Sequence, residues 1–260
     1  YGISPSRRQV AQLASETEGW VIALQMIWQG LQSGVAGDLD QILAELPRSL
    51  EDLFTYLAQE VLARRPARIR DFLLRTSILG LLEPAVCDHL LDWDKSRSLL
   101  KELDEDNLFI VRQGDAYRYH HLFHDFLHQQ LAASPQLLEL LHCRAAGFFE
   151  QNGRLEDAIH HWLAANAYPA AARLMEQAGE VLLQGGRLGT MTEWVRALPA
   201  SLLSDYPQLM IQMGDLSRFS SHFDEALHWY ERAQACFLAQ RDIHGASRAL
   251  RGQATVYLDT

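Results

Sequence analysis

The chain has 260 residues, 48% apolar and 22% charged, with 23 Lys+Arg against 33 Asp+Glu and a net charge of −10. At about 150 residues per domain this length argues for two domains with real cores, and the ordinary composition excludes disordered and fibrous classes. The acidic balance argues against sequence-independent phosphate binding by the whole chain, and Cys87, Cys143 and Cys236, without a C-x-x-C pair, fit a reducing compartment better than a disulfide framework or a zinc site.

No apolar run approaches the roughly 18 to 20 residues of a membrane span, and the start carries no basic and apolar leader, so a cytoplasmic protein without a membrane partner is expected. The chain begins at Tyr1 without a methionine and stops at Asp259-Thr260 without a capping signal. It reads as a piece of a longer polypeptide.

From Ser6 to Leu31, Val10, Leu13, Trp20, Val21, Leu24, Ile27, Trp28 and Leu31 recur at helical steps, with Gly19 dividing two helices; Gln32 to Asp40 has loop composition. Leu50, Leu53, Phe54, Leu57 and Val61 form the next stripe, and Pro66 opens a helix carrying Ile69, Phe72, Leu73 and Leu74. Short helices are expected at Pro84 to Leu91 and Lys95 to Leu103. The period then changes once. Leu108 to Val111 and Tyr117 to Tyr119 flank Gln113-Gly114-Asp115 as a hairpin, and a helix from about His121 to Leu131 closes the unit.

Short helices, a two-stranded wing and a last helix outline a winged-helix domain, a fold that often binds DNA. Charge decides against that role here. Between Asp88 and Asp106 stand Asp88, Asp92, Asp94, Glu102, Asp104, Glu105 and Asp106 against Lys95, Arg97 and Lys101, a balance that repels phosphates. A protein- or nucleotide-contacting module is the expectation.

After Pro135 the pattern is helical and self-similar. Ala146, Phe149, Ala158, Trp162 and Ala165 have the small/aromatic spacing of a tetratricopeptide (TPR) helix pair, and Gly214, Ala226, Tyr230 and Ala233 repeat its later part, with a degenerate unit around Ala178 to Pro199. An unrelated helical bundle is the bland alternative. The expected fold class is mainly α: a winged-helix domain with a small β-hairpin, followed by a TPR-like α-superhelical repeat domain whose array continues past Thr260.

The candidate chemistry lies in Tyr119-His120-His121-Leu122-Phe123-His124-Asp125-Phe126-Leu127-His128. His120, His124 and His128 have the four-residue spacing of metal-binding histidines, and Asp125 is a possible fourth ligand. His120, however, falls where strand passes into helix, and the glutamate of H-E-x-x-H is missing. No metal site is expected; His124 and His128 read as surface and packing residues on a helix turning Leu122, Phe123, Phe126 and Leu127 inward. No glycine is followed by lysine, so there is no P-loop, and neither G-x-S-x-G nor G-x-G-x-x-G occurs. The acids around Glu102 to Asp106 read as a solvated face. The chain is not expected to be a catalyst.

Thr17 to Gln25, Phe72 to Leu79, Asn107-Leu108-Phe109, Tyr117 to Phe123 with Phe126-Leu127, and Gly153-Arg154 with Glu156-Asp157-Ala158-Ile159, taken in series, resemble the maltose-regulon-activator type of large ATP-binding LuxR-family transcription regulators. The resemblance implies an upstream signal-transduction ATPase module, a winged helix, a superhelical repeat domain that senses an inducer, and a C-terminal helix-turn-helix that binds DNA. On it, residues 1–46 are the end of the helical subdomain of the nucleotide module, 47–133 the winged helix and 134–260 the first repeats. ATP or ADP with magnesium belongs to the longer parent, not to this segment, and the parent self-associates when activated. Tyr119-His120-His121 resembles the family's Met-His-Asp-like motif, which puts His120 on the ADP phosphate, with His121 in place of the aspartate. Gly19-Trp20-Val21 stands where relatives carry Gly-x-Pro near the adenine, making Trp20 and Val21 weaker cofactor candidates. The alternative is a helical-repeat interaction scaffold without a nucleotide switch.

Overall fold

The computed structural model describes residues 6–10, 59, 62–63, 65–106, 109–184 and 187–259. Most of the helices expected before Val61, and both Trp20 and Val21, lie outside the described residues. The chain divides into two compact units between Pro135 and Gln136. Each is taken by itself.

In the first unit Pro66 precedes helix α1 (Ala67–Thr76), and its carbonyl accepts the N–H groups of Ile69 and Arg70 at 2.9 and 3.1 Å. The proline has no N–H to lose there, so it suits a helix start. Helix α2 (Pro84–Leu91) again opens on proline and stops at Asp92, whose φ of 54° breaks the helical path. Helix α3 (Ser96–Glu105) buries Ser96, Leu99, Leu100 and Leu103 and leaves its acids outside. The Ser96 N–H donates to Asp88 Oδ1 at 2.9 Å, fastening α3 to α2.

The hairpin pairs β1 (Ile110–Gln113) with β2 (Ala116–Tyr119), Gln113 facing Ala116 across the two-residue turn Gly114-Asp115. Gly114 holds φ 63° at the first turn position while Asp115 does not share the left-handed region, the arrangement of a II′ turn that matches strand twist. Leu82 adds a bridge to Tyr117, through bonds of 2.7 and 3.2 Å. Helix α4 (His121–Ala132) then packs on α1.

Phe72, Leu79, Leu82, Leu90, Leu100, Leu103, Phe123, Leu127 and Leu131 fill the core of this unit, each worth about 1.5 to 3 kcal/mol by transfer from water. One polar tie crosses it. The Tyr119 hydroxyl lies 2.6 Å from Thr76 Oγ1 and 3.3 Å from the Leu73 carbonyl, joining the end of β2 to α1. Two expectations need adjusting: Phe109 is not strand but a left-handed residue of φ 52° preceding β1, and Leu122 is half-buried instead of sharing the core with Phe123, Phe126 and Leu127.

The second unit is helical throughout: α5 (Pro135–Gln151), α6 (Leu155–Ala164), α7 (Tyr168–Gln184), α8 (Leu188–Ala197), a 3-10 turn (Leu202–Asp205), α9 (Pro207–Phe219), α10 (Phe223–Ala239) and α11 (Ile243–Asp259). The mainly α fold class is therefore what the pattern predicts. Four connections share one turn. Gly153, Asn166, Ser221 and Arg241 each hold a φ between 54° and 72°, and the N–H of the residue after each donates five residues back, to Phe149, Trp162, Ser217 and Phe237. This is the Schellman closure, which satisfies the last carbonyls of a helix. Four residues past each closing residue stands an alanine, Ala158, Ala171, Ala226 or Ala246, buried to 6% exposure or less. A small side chain at that place lets the following helix lie close to the one before it.

Glycine notches take up the large side chains. The Tyr230 ring lies between Gly214 of α9 and Gly252 of α11, where an added Cβ would come within 2.6 and 2.5 Å of it respectively. The Tyr230 hydroxyl donates to Asp215 Oδ1 at 2.6 Å, and Arg218 pairs with Asp259 at 2.8 Å. Three helices are thus fixed to one another around a single tyrosine.

Candidate functional site

His120 is the residue between β2 and α4, and backbone bonds on both sides hold it. Its N–H donates to the Phe109 carbonyl at 2.7 Å, and its own carbonyl accepts the N–H groups of Phe123 and His124 at 3.0 and 2.9 Å. Its φ of −57° and ψ of 137° are those of an extended residue handing over to a helix. The imidazole is 7% exposed and stacks on His121, with ring centroids 4.7 Å apart. Phe109 in turn lies against Phe123 at 4.8 Å, and Phe123 meets Tyr119 edge-on at 5.8 Å. Strand end, histidine and helix start form one small aromatic block.

Further along α4 the cluster makes contacts of its own. His124 and His128 stack on each other one turn apart at 6.1 Å, and His124 Nδ1 is 3.4 Å from Asp125 Oδ1. Among the described residues no three His, Cys, Asp or Glu side chains gather as a metal ion would need. The sulfur chemistry is equally closed in this unit, because burial pushes the Cys87 thiol far up, with Asp88 and Glu83 adding to the effect. Burial likewise keeps the Tyr119 phenol protonated, its bond to Thr76 notwithstanding.

A second polar feature escaped the motif search. In the second unit His142 of α5 and His161 of α6 meet with their Nδ1 atoms 2.8 Å apart, at 5% and 4% exposure, so one ring donates its Nδ1 proton to the other. Phe149 stacks on His161 at 5.4 Å, and the Arg154 guanidinium lies over the other part of that stack, 4.5 Å from Phe149. Burial first, then His142, His160 and Arg154, lowers the His161 pKa to about 3. His161 is neutral across the physiological range. Its partners are 19 positions apart on different helices, so no local spacing announces it.

Two clefts open in the same unit. One of about 490 Å³ is lined by Gly153, Arg154, Glu156, Asp157, Ala178 and Arg187, its arginines held by ion pairs to Asp157 and Glu156. The other, of about 370 Å³, lies between α8 and α9 and is lined by Thr192, Glu193, Arg196, Met213, Ser217 and Glu225 among others. Both volumes are in the range that small ligands occupy.

Residues 58–139 match the family model of the MalT winged helix domain. This segment is a MalT winged helix domain. The resemblance read from the residue strings is borne out, and the histidine cluster lies wholly inside the MalT winged helix domain. Over the whole chain, the serine/threonine-protein kinase PknK of Mycobacterium tuberculosis is 28% identical across 99% of these residues. The HTH-type transcriptional regulator MalT of Yersinia pestis is 32% identical across 86% of them, as is that of Yersinia pseudotuberculosis. The chain spans about a quarter of the length of these relatives, 24% of PknK and 25% of MalT. Among the described residues no helix is long and apolar enough to cross a membrane.

Proposed function

We propose that this chain is the central part of an inducer-responsive, ATP-dependent bacterial transcription regulator, linking a nucleotide switch to a helical-repeat sensor. The observation that carries the reading is the succession along one chain: a MalT winged helix domain, then helical pairs joined by one recurring turn. The acids on α3 support a winged helix that contacts protein or nucleotide and not DNA. His120 faces ADP in the resting parent, where its imidazole donates to a phosphate oxygen at the start of α4, a place that favours anions. ATP or ADP and magnesium are held by a module of the parent that carries the P-loop. This chain performs no catalysis of its own.

The TPR-like pairs receive the inducer, for which the two clefts of the second unit provide room. Inducer shifts the parent toward its ATP-bound, self-associating state only by its differential affinity for the two states. Promoter contact is made through a helix-turn-helix elsewhere in the parent. Calorimetry of the natural polypeptide with ADP tests this: binding that is lost on removal of its P-loop module supports the switch, and no binding at all turns the chain into an interaction scaffold.

A second reading has its own observation. The match across 99% of the chain is to a protein named as a kinase, so the same unit serves a kinase output in place of a promoter-binding one. Phosphate transfer from radiolabelled ATP by the natural polypeptide decides between the outputs.

A further inference from the structure

The two clefts of the second unit differ in the state of their charges. In the cleft beside Gly153 each guanidinium already has a carboxylate, Arg154 pairing with Asp157 at 2.8 Å and Arg187 with Glu156. A charged ligand there would compete with pairs that the chain makes within itself. The cleft between α8 and α9 is the reverse. Glu193 and Arg196 stand on its α8 wall and Glu225 on the first turn of α10, and among the described residues none of the three pairs with another side chain.

The floor of this second cleft is apolar, lined by Met213 and Leu216 of α9 at 4% and 3% exposure. One polar group interrupts it. Ser217 lines the cleft at 6% exposure, and its hydroxyl has no hydrogen-bond partner among the described residues. Ser247 and Thr255 of α11 instead donate back to the carbonyls of Ile243 and Arg251, at 2.8 and 2.9 Å, the usual local solution for a hydroxyl on a helix. A buried hydroxyl left without that solution is costly unless something else meets it. Unpaired charges on two walls, an apolar floor and an unbonded hydroxyl together describe a site for a small molecule with charge of both signs.

We propose that the cleft between α8 and α9 binds a zwitterion with an apolar body, an apolar α-amino acid or a short peptide of such residues. The ligand carboxylate meets Arg196, whose forked guanidinium suits it, and the ammonium meets Glu225 on the opposite wall. The aliphatic side chain lies on Met213 and Leu216, and the Ser217 hydroxyl bonds to the polar end. With Glu193 and Glu225 set against Arg196 alone, a ligand bearing only a carboxylate is disfavoured. The assignment deepens the inducer reading of these helical pairs and rests on it for its consequence in the parent.

The test is calorimetry of the full natural polypeptide with L-leucine and L-leucyl-L-leucine. Beside them stand 4-methylpentanoate and 3-methylbutylamine, which keep the apolar body of leucine and lack its ammonium or its carboxylate. At least one zwitterion binds, the tighter of the two naming the source, and each single-charge analogue binds about tenfold or more weakly. Arg196→Gln lowers the affinity for the zwitterion by a similar factor and leaves that for the amine unmoved. Glu225→Gln weakens the zwitterion and leaves the acid unmoved, and Glu231→Gln on the exposed side of α10 changes none of them. The analogues are compared on the unaltered chain, so a variant that misfolds does not stall the test. Binding of neither zwitterion at millimolar concentration overturns the proposal, as does 4-methylpentanoate binding as tightly as leucine. A zwitterion that binds with this pattern yet leaves transcription unchanged supports the cleft assignment and removes the inducer reading, so the two fail separately.

Discussion

The Phe109 carbonyl accepts the His120 N–H at 2.7 Å, so a residue in the left-handed region fixes the one that hands the hairpin over to α4. A phenylalanine at φ 52° is strained, by about 1 to 2 kcal/mol for a residue with a Cβ, and the ring contact with Phe123 at 4.8 Å offsets that strain. Local geometry around the candidate histidine is held by aromatic packing against a backbone that would relax otherwise.

This gives an inverted ranking at position 109. Phe109→Gly loses the ring but is at ease at φ 52°, whereas Phe109→Ala loses the ring and keeps the strain. Both variants are less stable than the natural protein, and alanine is worse than glycine by about 1 kcal/mol. Urea unfolding checks it; alanine equal to or better than glycine would show that strain at this site is negligible.

If His120 donates to the ADP phosphate as proposed, His120→Ala made in the natural polypeptide removes a hydrogen bond worth about 1.5 to 3 kcal/mol from the ADP-bound state alone. ADP is then released about 10- to 100-fold faster and inducer-free transcription rises. If ADP release is unchanged while stability falls, His120 belongs to the aromatic block with His121 and Phe123 and not to the nucleotide site.

Gly214→Ala and Gly252→Ala each drive a methyl group into the Tyr230 ring, at 2.6 and 2.5 Å before any adjustment. Each is expected to cost about 1 to 3 kcal/mol, although alanine is the better helix former by about 1 kcal/mol. The penalties fall together when Tyr230→Leu shortens the ring, so the double variants are non-additive. Thermal unfolding of the singles and doubles measures it, and additive effects would mean that the glycines do not share one tyrosine.

The His142–His161 pair makes the second unit acid-sensitive. With His161 lowered to about 3 in the folded chain against about 6.5 when unfolded, the unfolded state binds more protons below pH 6.5. The contribution is complete above that pH and is lost progressively as pH falls toward 3, by about 2 kcal/mol at pH 5. His161→Gln should flatten this part of the stability–pH curve. A slope between pH 7 and 5 unchanged by the substitution would rule the pair out as its source.

The sequence was legible where structure is local. Pro84 marked the start of α2 because a first-turn proline surrenders no bond, and Gly114-Asp115 marked the hairpin because a glycine there takes φ 63° freely. Ala158 and Ala226 showed the helical pairing, since close approach demands a small residue. Phe109 read as strand because it stands in the apolar run Leu108 to Val111; in the fold it is left-handed, with its carbonyl accepting the His120 N–H. The turns at Asn166, Ser221 and Arg241 went unseen because they take on a glycine's conformation without glycine. Of the candidate site, the position of His120 at the junction was readable from the change of period.

The connection from α8 to α9 is made differently from the four shared turns. Leu198 is extended at ψ 143°, a 3-10 turn follows, and Tyr206 and Gln240 tether the passage to the carbonyls of Pro169 and Ser204 at 3.2 Å each. Mechanically, α9, α10 and α11 are one stiff lever clamped by Tyr230, and residues 198–206 are its fulcrum. A molecule wedged into the cleft between α8 and α9 works against those two long hydrogen bonds and against the buried face that α9 gives to α7. Opening at residues 198–206 would move α9, α10 and α11 together, because the Tyr230 clamp holds the three as one body.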